Sequence, residues 1–237
     1  MKYTMNTRVR YSEVGMDDRL TLDAVLKYFQ DCAVFQSEDL GCGIEELKKN
    51  HMVWFLSSWQ ICIGEYPVVA DRINVSTWPY GFQRMMGERN HTISTPEGTI
   101  LAWGNSNWVL MDTQNQRPIP VPGDLIDRYT LEEPFPMEYM SRKIAVPKEG
   151  KQEAPVEITR AYLDSNNHVN NARYVQIAEE YLPEGFTIQQ LRAEYKRQAL
   201  LGDHIYPLVA RTEEEWVISL NNDKGQPYAV IAFQEKL

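Results

Sequence analysis

One order of elements, read from hydrophobic periodicity, occurs twice in this chain, and that repetition constrains the fold more than any single motif. The first copy opens with a period-two segment, "YTMNTRVRYSEV". Thr21 then stands as a cap before Leu22, Val25, Leu26, Phe29 and Ala33, which recur at helical spacing, and Gly41 stands where a helix would stop. The spacing predicts a helix over about residues 22 to 40. Four strand-like runs follow, "MVWFLSSWQICI", "DRINVSTWPY", "MMGERNHTIST" and "TILAWGNSNWVLM", with "PEG" at 96 to 98 as a hairpin turn between the last two. The second copy begins with "VEITRAYLDSNNHV", a strand and loop. Tyr174, Ile177 and Tyr181, with Val175, Ala178 and Leu182, then form one broad apolar face that predicts a buried helix over 171 to 182. The runs "IQQLRAEYKRQ", "DHIYPLVAR", "EEWVISL" and "YAVIAF" complete it, with "NNDKGQ" as a turn. Laying Leu20 on Val169 pairs Gly15 with Asp164, Asp17 with Asn166 and Arg19 with His168.

A long helix against an antiparallel sheet is α+β layering, in which one face of the sheet is buried on the helix. The arrangement resembles the hot-dog fold, and two such units in one chain make a tandem, or double, hot-dog. The expected division is an N-terminal unit over residues 1–125, a connection over 126–152 and a C-terminal unit over 153–237. Residues 112 to about 153, rich in proline and charge, read as a crossover rather than a core element. Hydrophobic residues make up 43% of the 237, enough for a real core. The chain has no apolar run of membrane-spanning length, and "MKYTMNTRVRYSEVG" lacks the apolar region of a secretory signal. The expected location is the cytoplasm, unless a presequence has been removed. Cys32, Cys42 and Cys62 are unevenly spaced and odd in number, which argues for reduced, partly buried thiols rather than a disulfide framework. No histidine sits at metal-ligand spacing, so no metal and no organic cofactor is expected. A net charge of −9 argues against nucleic acid and anionic membrane as partners.

The loop that precedes the second helix carries the chemistry. Asp164, Asn166 and His168 stand at i, i+2 and i+4, followed by Asn170 and Asn171. One reading is a polar turn in which Asn170 or Asn171 caps the helix. The other is catalytic. A carboxylate, a carboxamide and an imidazole lie just before a helix N-terminus, where backbone N–H groups and the helix dipole favour a developing oxyanion, and that set suits attack of water on a carbonyl. The equivalent loop of the first copy, "EVGMDDRLT", has neither His nor Asn, so the fold does not demand those residues.

With "RYSEVGMDDRLTLDAVLKYFQD", "DRINVSTWPYGFQRMMGERN" and "NSNWVLMDTQNQRPIPVP" in the first half and "LDSNNHVNNARYV" and "RAEYKRQALLGD" in the second, the chain resembles the acyl-acyl carrier protein thioesterases over nearly its whole length. The resemblance implies hydrolysis of fatty acyl thioesters of acyl carrier protein to free acid and carrier thiol. It carries the catalytic role onto Asp164, Asn166 and His168. The family's second active-site segment in the plant enzymes is Glu-Tyr-Arg-Arg-Glu-Cys, and here it reads "EYKRQA". Glu194, Tyr195 and Arg197 are kept, Gln198 replaces the second Glu and Ala199 replaces the Cys. No thiol nucleophile exists at that place. Gln198 cannot titrate but can orient a water, which makes it a fourth catalytic candidate. His168 is the favoured base, with Asp164 fixing its tautomer, and Asp164 acting through water is the alternative. Glu194 reads equally as a strand anchor or a site residue, and Asn170 as a supporting group.

The resemblance also places the acyl chain inside the first unit, with Trp54, Trp59, Met85 and Met86 as candidate walls. Docking an acidic carrier onto an acidic enzyme needs local basic groups, for which Arg192, Lys196 and Arg197 are the candidates. His51, His91 and His204 read as solvated residues at strand edges. Either a monomer or a homodimer is compatible with the internal pair. The rival readings are an acyl-CoA thioesterase of the same fold and a non-catalytic acyl-thioester-binding regulator. A regulator should bring a DNA-binding helix pair and a basic face, which the sequence lacks. A dehydratase lacks its usual paired residues here.

Overall fold

The computed structural model describes residues 2–146, 148–164 and 167–236. By backbone proximity the chain divides into two compact units. The first comprises residues 1–57 and 61–139, the second residues 58–60 and 140–237.

In the first unit, β1 (Tyr3–Arg8) leads through a 3-10 turn (Tyr11–Glu13) into α1 (Leu22–Asp39) and a short α2 (Ile44–Lys49). Then come β2 (Met52–Ile63), β3 (Arg72–Gln83), β4 (Met86–Ser94), β5 (Ile100–Asp112), the two-residue β6 (Arg117–Pro118) and α3 (Gly123–Ile126). The sheet order is β1-β3-β4-β5-β2, with β6 on β5. α1 starts where Thr21 Oγ1 accepts the Ala24 N–H at 3.2 Å, and it ends before Gly41, whose φ of 68° suits a residue without Cβ. Its buried face carries Leu22, Val25, Leu26, Phe29, Cys32 and Ala33. The Cys32 Sγ–H donates to Val75 O at 3.3 Å, which fixes the helix on β3. Each fully buried Leu or Phe on such a face contributes about 1.5–3 kcal/mol.

Two expectations are corrected in this unit. His91 is not solvated: it is fully buried (0% exposed), its ring 5.0 Å from Phe29 and its Nε2 2.8 Å from Ser106 Oγ. β4 is an interior strand between β3 and β5, so the alternation Arg89, His91, Ile93 faces α1 rather than water. Burial, then the neighbouring Arg89, pushes the His91 imidazole well below its ordinary value and keeps it neutral. The stretch after residue 112 is not merely a crossover. Val121, Leu125 and Tyr129 are buried in one cluster with Cys42, Leu47 and Leu110. Further on, the Phe135 N–H and the Tyr139 hydroxyl both donate to Asn90 Oδ1 at 3.0 Å, and the Trp78 indole N–H donates to Glu133 O at 2.9 Å. The segment thus straps the opposite face of β3 and β4.

In the second unit, β7 (Lys151–Gln152) and β8 (Val156–Glu157) lead through a 3-10 turn (Arg160–Tyr162) into α4 (Asn171–Glu179). β9 (Ile188–Tyr195), β10 (His204–Arg211), β11 (Trp216–Asn221) and β12 (Pro227–Glu235) follow. The order is β9-β12-β11-β10, with β7 and β8 pairing on β10. This is the first unit's topology again: the strand after the helix lies at one end and the strand before it at the other. α4 buries Ala172, Tyr174, Val175, Ile177 and Ala178, and it packs on β11 and β12. Each unit is a helix laid on an antiparallel sheet, and the chain is an α+β tandem hot-dog protein.

Candidate active site

The loops before α1 and α4 fold alike hydrogen bond by hydrogen bond. The Gly15 N–H donates to Arg19 O at 2.8 Å, and the Asp164 N–H donates to His168 O at 2.8 Å. The Asp18 N–H donates to Gly15 O and the Asn167 N–H to Asp164 O, both at 3.1 Å. Asp18 and Asn167 hold φ values of 59° and 61°, the left-handed region that Asn and Asp tolerate best after Gly. Val14 bridges Leu20 as Leu163 bridges Val169. The first loop thus reaches the same backbone with Gly15 and Arg19 where the second has Asp164 and His168.

Those side chains sit as follows. Asp164 and His168 are half-buried, and the Asp164 carboxylate accepts the His168 main-chain N–H at 3.4 Å. That contact holds the loop on which the imidazole is carried. Asn166 lies outside the described residues. Asn170 is the helix cap: its Oδ1 accepts the Ala172 N–H and its carbonyl the Arg173 N–H, both at 2.9 Å. With those amides committed, Asn171 at the first helical position has no carbonyl four residues back to bond within the helix.

A second layer holds this loop to β9 and the turn after it. The Val169 N–H donates to Ala199 O at 3.2 Å. The Ala199 N–H donates to the Tyr174 hydroxyl at 2.8 Å, and the Tyr195 hydroxyl donates to Asn171 O at 3.1 Å. Burial pushes both phenols upward, so both stay protonated. Periodicity marked Tyr174 only as part of an apolar face, and its hydroxyl contact gives no sequence signal. Ala199 is buried, whereas Gln198 beside it is exposed.

Glu194 is engaged on both oxygens, with the Ile144 N–H at 2.9 Å and Lys196 Nζ at 2.7 Å. Arg192 pairs with Glu215 at 2.7 Å, and each side chain is only 12% exposed. Arg197 is exposed. The four candidate wall residues sit as follows, with the Trp54 ring against Gly87, the neighbour of Met86. Trp54 packs near Phe82, with ring centroids 6.4 Å apart; Met86 is half-buried at the start of β4; Met85 is 37% exposed on the preceding turn. Trp59 is buried and groups with the second unit. A cleft of about 390 Å³ in the first unit, lined by Glu13, Asp23, Lys27, Tyr28 and Asp31 among others, contains none of these candidates and is too charged for an acyl chain.

Fold and loop together define a tandem hot-dog protein whose second copy alone carries an Asp–His pair at a helix entrance. Comparison with known proteins narrows the class. The family model described as the acyl-ACP thioesterase N-terminal domain matches residues 1–129, and that of the C-terminal domain matches residues 146–234. The chain belongs to the acyl-ACP thioesterase family. Among curated relatives, an oleoyl-acyl carrier protein thioesterase of Arabidopsis thaliana is 25% identical over 90% of this chain, and a palmitoyl-acyl carrier protein thioesterase of Gossypium hirsutum is 25% identical over 83%. The alignments span 65% and 52% of those relatives' own lengths. Among solved structures, an acyl-ACP thioesterase from Bacteroides thetaiotaomicron superposes with a TM-score of 0.91 at 22% identity, covering 99% of this chain and 98% of that one. The 12:0-ACP thioesterase of Umbellularia californica gives 0.85 at 19% identity, covering 99% and 97%. These likenesses show the shared fold.

Proposed function

We propose that this protein hydrolyses fatty acyl thioesters of acyl carrier protein, releasing free fatty acid and the carrier thiol and so ending chain growth. The observation that carries the reading is the pair of matched loops: one backbone occurs twice, and only the copy within the C-terminal family domain bears Asp164 and His168.

In this reading the thioester carbonyl carbon approaches His168, and its oxygen turns toward the entrance of α4. The Asn171 N–H and the helix dipole there stabilise the negative charge that develops. His168 takes a proton from water as the oxygen attacks. The tetrahedral intermediate then expels the thiolate, and the proton on His168 passes to sulfur. Water and thioester become acid and thiol with no atom unaccounted for. A thiolate is a good leaving group, so general-base assistance to the attack is the larger need. Asp164 holds the loop through the His168 amide. The role of Asn166 follows from the family pattern, and Gln198 orients water. With Ala199 in place of a cysteine, the route passes through no acyl-enzyme at that position.

The test is release of free thiol from carrier-protein thioesters of graded length, for wild type and His168→Ala, with the same acyl groups on coenzyme A in parallel. The reading expects turnover on carrier thioesters and a loss of about 10²- to 10⁴-fold in kcat for the variant. Preference for coenzyme A would make the protein an acyl-CoA thioesterase, and binding without turnover would make it a sensor. The partner in this reading is the carrier protein. Reduced thiols at Cys32, Cys42 and Cys62 suit a cytoplasmic location. Gel filtration decides between monomer and homodimer.

A further inference from the structure

The two copies share a second turn that differs in chemistry. Residues 64–71 join β2 to β3, and residues 196–203 join β9 to β10. The Val68 N–H donates to Asp71 Oδ2 and the Leu200 N–H to Asp203 Oδ2, both at 2.9 Å. The return bonds, Asp71 N–H to Val68 O and Asp203 N–H to Leu200 O, are 3.2 and 3.1 Å. Ala70 and Gly202 hold the same left-handed corner, with φ of 71° and 84°. Leu20 N–H to Pro67 O in the first unit matches Val169 N–H to Ala199 O in the second. The second turn is therefore fastened to the residue that follows His168.

On this common scaffold the first copy places Gly64 and an exposed Glu65, and the second places Lys196 and an exposed Arg197. The tip of the second copy presents adjacent leucines, Leu200 and Leu201, at 49% and 53% exposure; Val68, the counterpart of Leu200, is 41% exposed. Hydrogen bonds hold the turn in this conformation. The Asp203 carboxylate is turned inward onto the Leu200 N–H and the Tyr228 hydroxyl, and the Gly202 N–H donates to Ile158 O. Two neighbouring leucines held out of the core on a pinned turn, with the exposed Arg197 beside them in a chain of net charge −9, form an apolar tip with a cation at its edge next to the loop that carries His168.

We propose that this turn, residues 196–203, is the docking element for the acidic carrier protein that presents the thioester. Leu200 and Leu201 enter an apolar groove on the carrier, and Arg197 meets an acidic side chain at its rim. Arg192 and Lys196 add little charge, because Glu215 and Glu194 already pair with them. The inference rests on the hydrolase reading for the identity of the partner, but it is tested by binding and so stands or falls separately. Fluorescently labelled acyl carrier protein is titrated with the wild-type chain, the double variant Leu200→Ser/Leu201→Ser, Arg197→Glu, and Val68→Ser at the matched turn of the first copy.

The leucine pair should weaken binding roughly tenfold or more, as central interface residues do, and Arg197→Glu, a charge reversal at the rim, should weaken it several-fold through a slower association. The Arg197→Glu deficit should shrink at high salt, and Val68→Ser should bind like wild type. Where turnover is measured, KM for the carrier thioester should rise more than KM for the same acyl group on pantetheine. Binding unchanged in both second-copy variants would overturn the proposal. So would an equal loss with Val68→Ser, equal kinetic losses on both substrates, or a change in oligomeric state that marks the tip as a contact between copies.

Discussion

Replacing His168 by arginine tests the proposed division of labour within the loop before α4 more sharply than replacing it by alanine. Arginine already occupies the matched place in the first copy, where Arg19 sits in a turn closed by the same 2.8 Å backbone bond from Gly15. The fold therefore has a precedent for this residue at this point. His168 is half-buried, and its main-chain hydrogen bonds are ones that the substitution leaves in place. The expected change in stability is that of a surface substitution, within about 0.5 kcal/mol. For a chain of this size that moves Tm by about 2 °C at most. The chemical effect is of another order. A guanidinium stays protonated throughout the working pH range and cannot take a proton from water. Loss of general-base assistance lowers kcat by about 10²- to 10⁴-fold, which is about 2.7 to 5.4 kcal/mol of barrier. Thermal melts and thiol release on one preparation give both quantities. A folded His168→Arg enzyme that keeps kcat within about threefold of wild type would refute the assignment of the base. An unfolded one would refute the claim that the two loops are interchangeable in structure.

Two further expectations concern the frame around the site. Tyr174→Phe removes the hydroxyl that accepts the buried Ala199 N–H. An amide left without a partner costs about 1–3 kcal/mol, read as a lower urea midpoint at unchanged m-value; an unchanged midpoint would show that water or a shifted carbonyl takes over. Burial pushes the Cys32 thiol up to about 12 and the Cys62 thiol up to about 11. The folded chain keeps those protons above a pH of about 8.5, where unfolded thiols release them. The stability these thiols contribute is thus complete below about pH 8.5 and lost as pH rises toward 11–12. Urea unfolding of wild type and of Cys32→Ala/Cys62→Ala should show a steeper decline between pH 8 and 10.5 in wild type, and parallel curves would contradict it.

Much of the architecture was legible because its signals are local and periodic. The strand run starting at Met52 and ending at Ile63, the helix beginning after Thr21 and the turn at "NNDKGQ" all fall where alternation, capping and Asx chemistry put them. α4 stops at Glu179 rather than running to residue 182, because the chain is already turning toward Pro183. α2 escaped notice, since six residues give too little period to register. His91 and the Arg192–Glu215 pair were opaque for a different reason. Their surroundings depend on which strands lie side by side, which periodicity along one strand does not contain. The repeat was the most informative feature. Its alignment predicted which residues occupy equivalent points, and the paired hydrogen bonds at Gly15 and Asp164 follow that alignment. The exposure of Leu200 and Leu201 has no sequence signal, because the residues between the runs "IQQLRAEYKRQ" and "DHIYPLVAR" show no period, and only the Leu200–Asp203 turn sets them outward.

The most direct measurement is made on the purified chain: continuous detection of free thiol from a saturated long-chain acyl thioester of acyl carrier protein, with the fatty acid quantified at the end point. The account predicts saturable turnover, one acid per thiol released, over many cycles per enzyme molecule. Tight binding of the same substrate with no thiol released above the uncatalysed rate would contradict it.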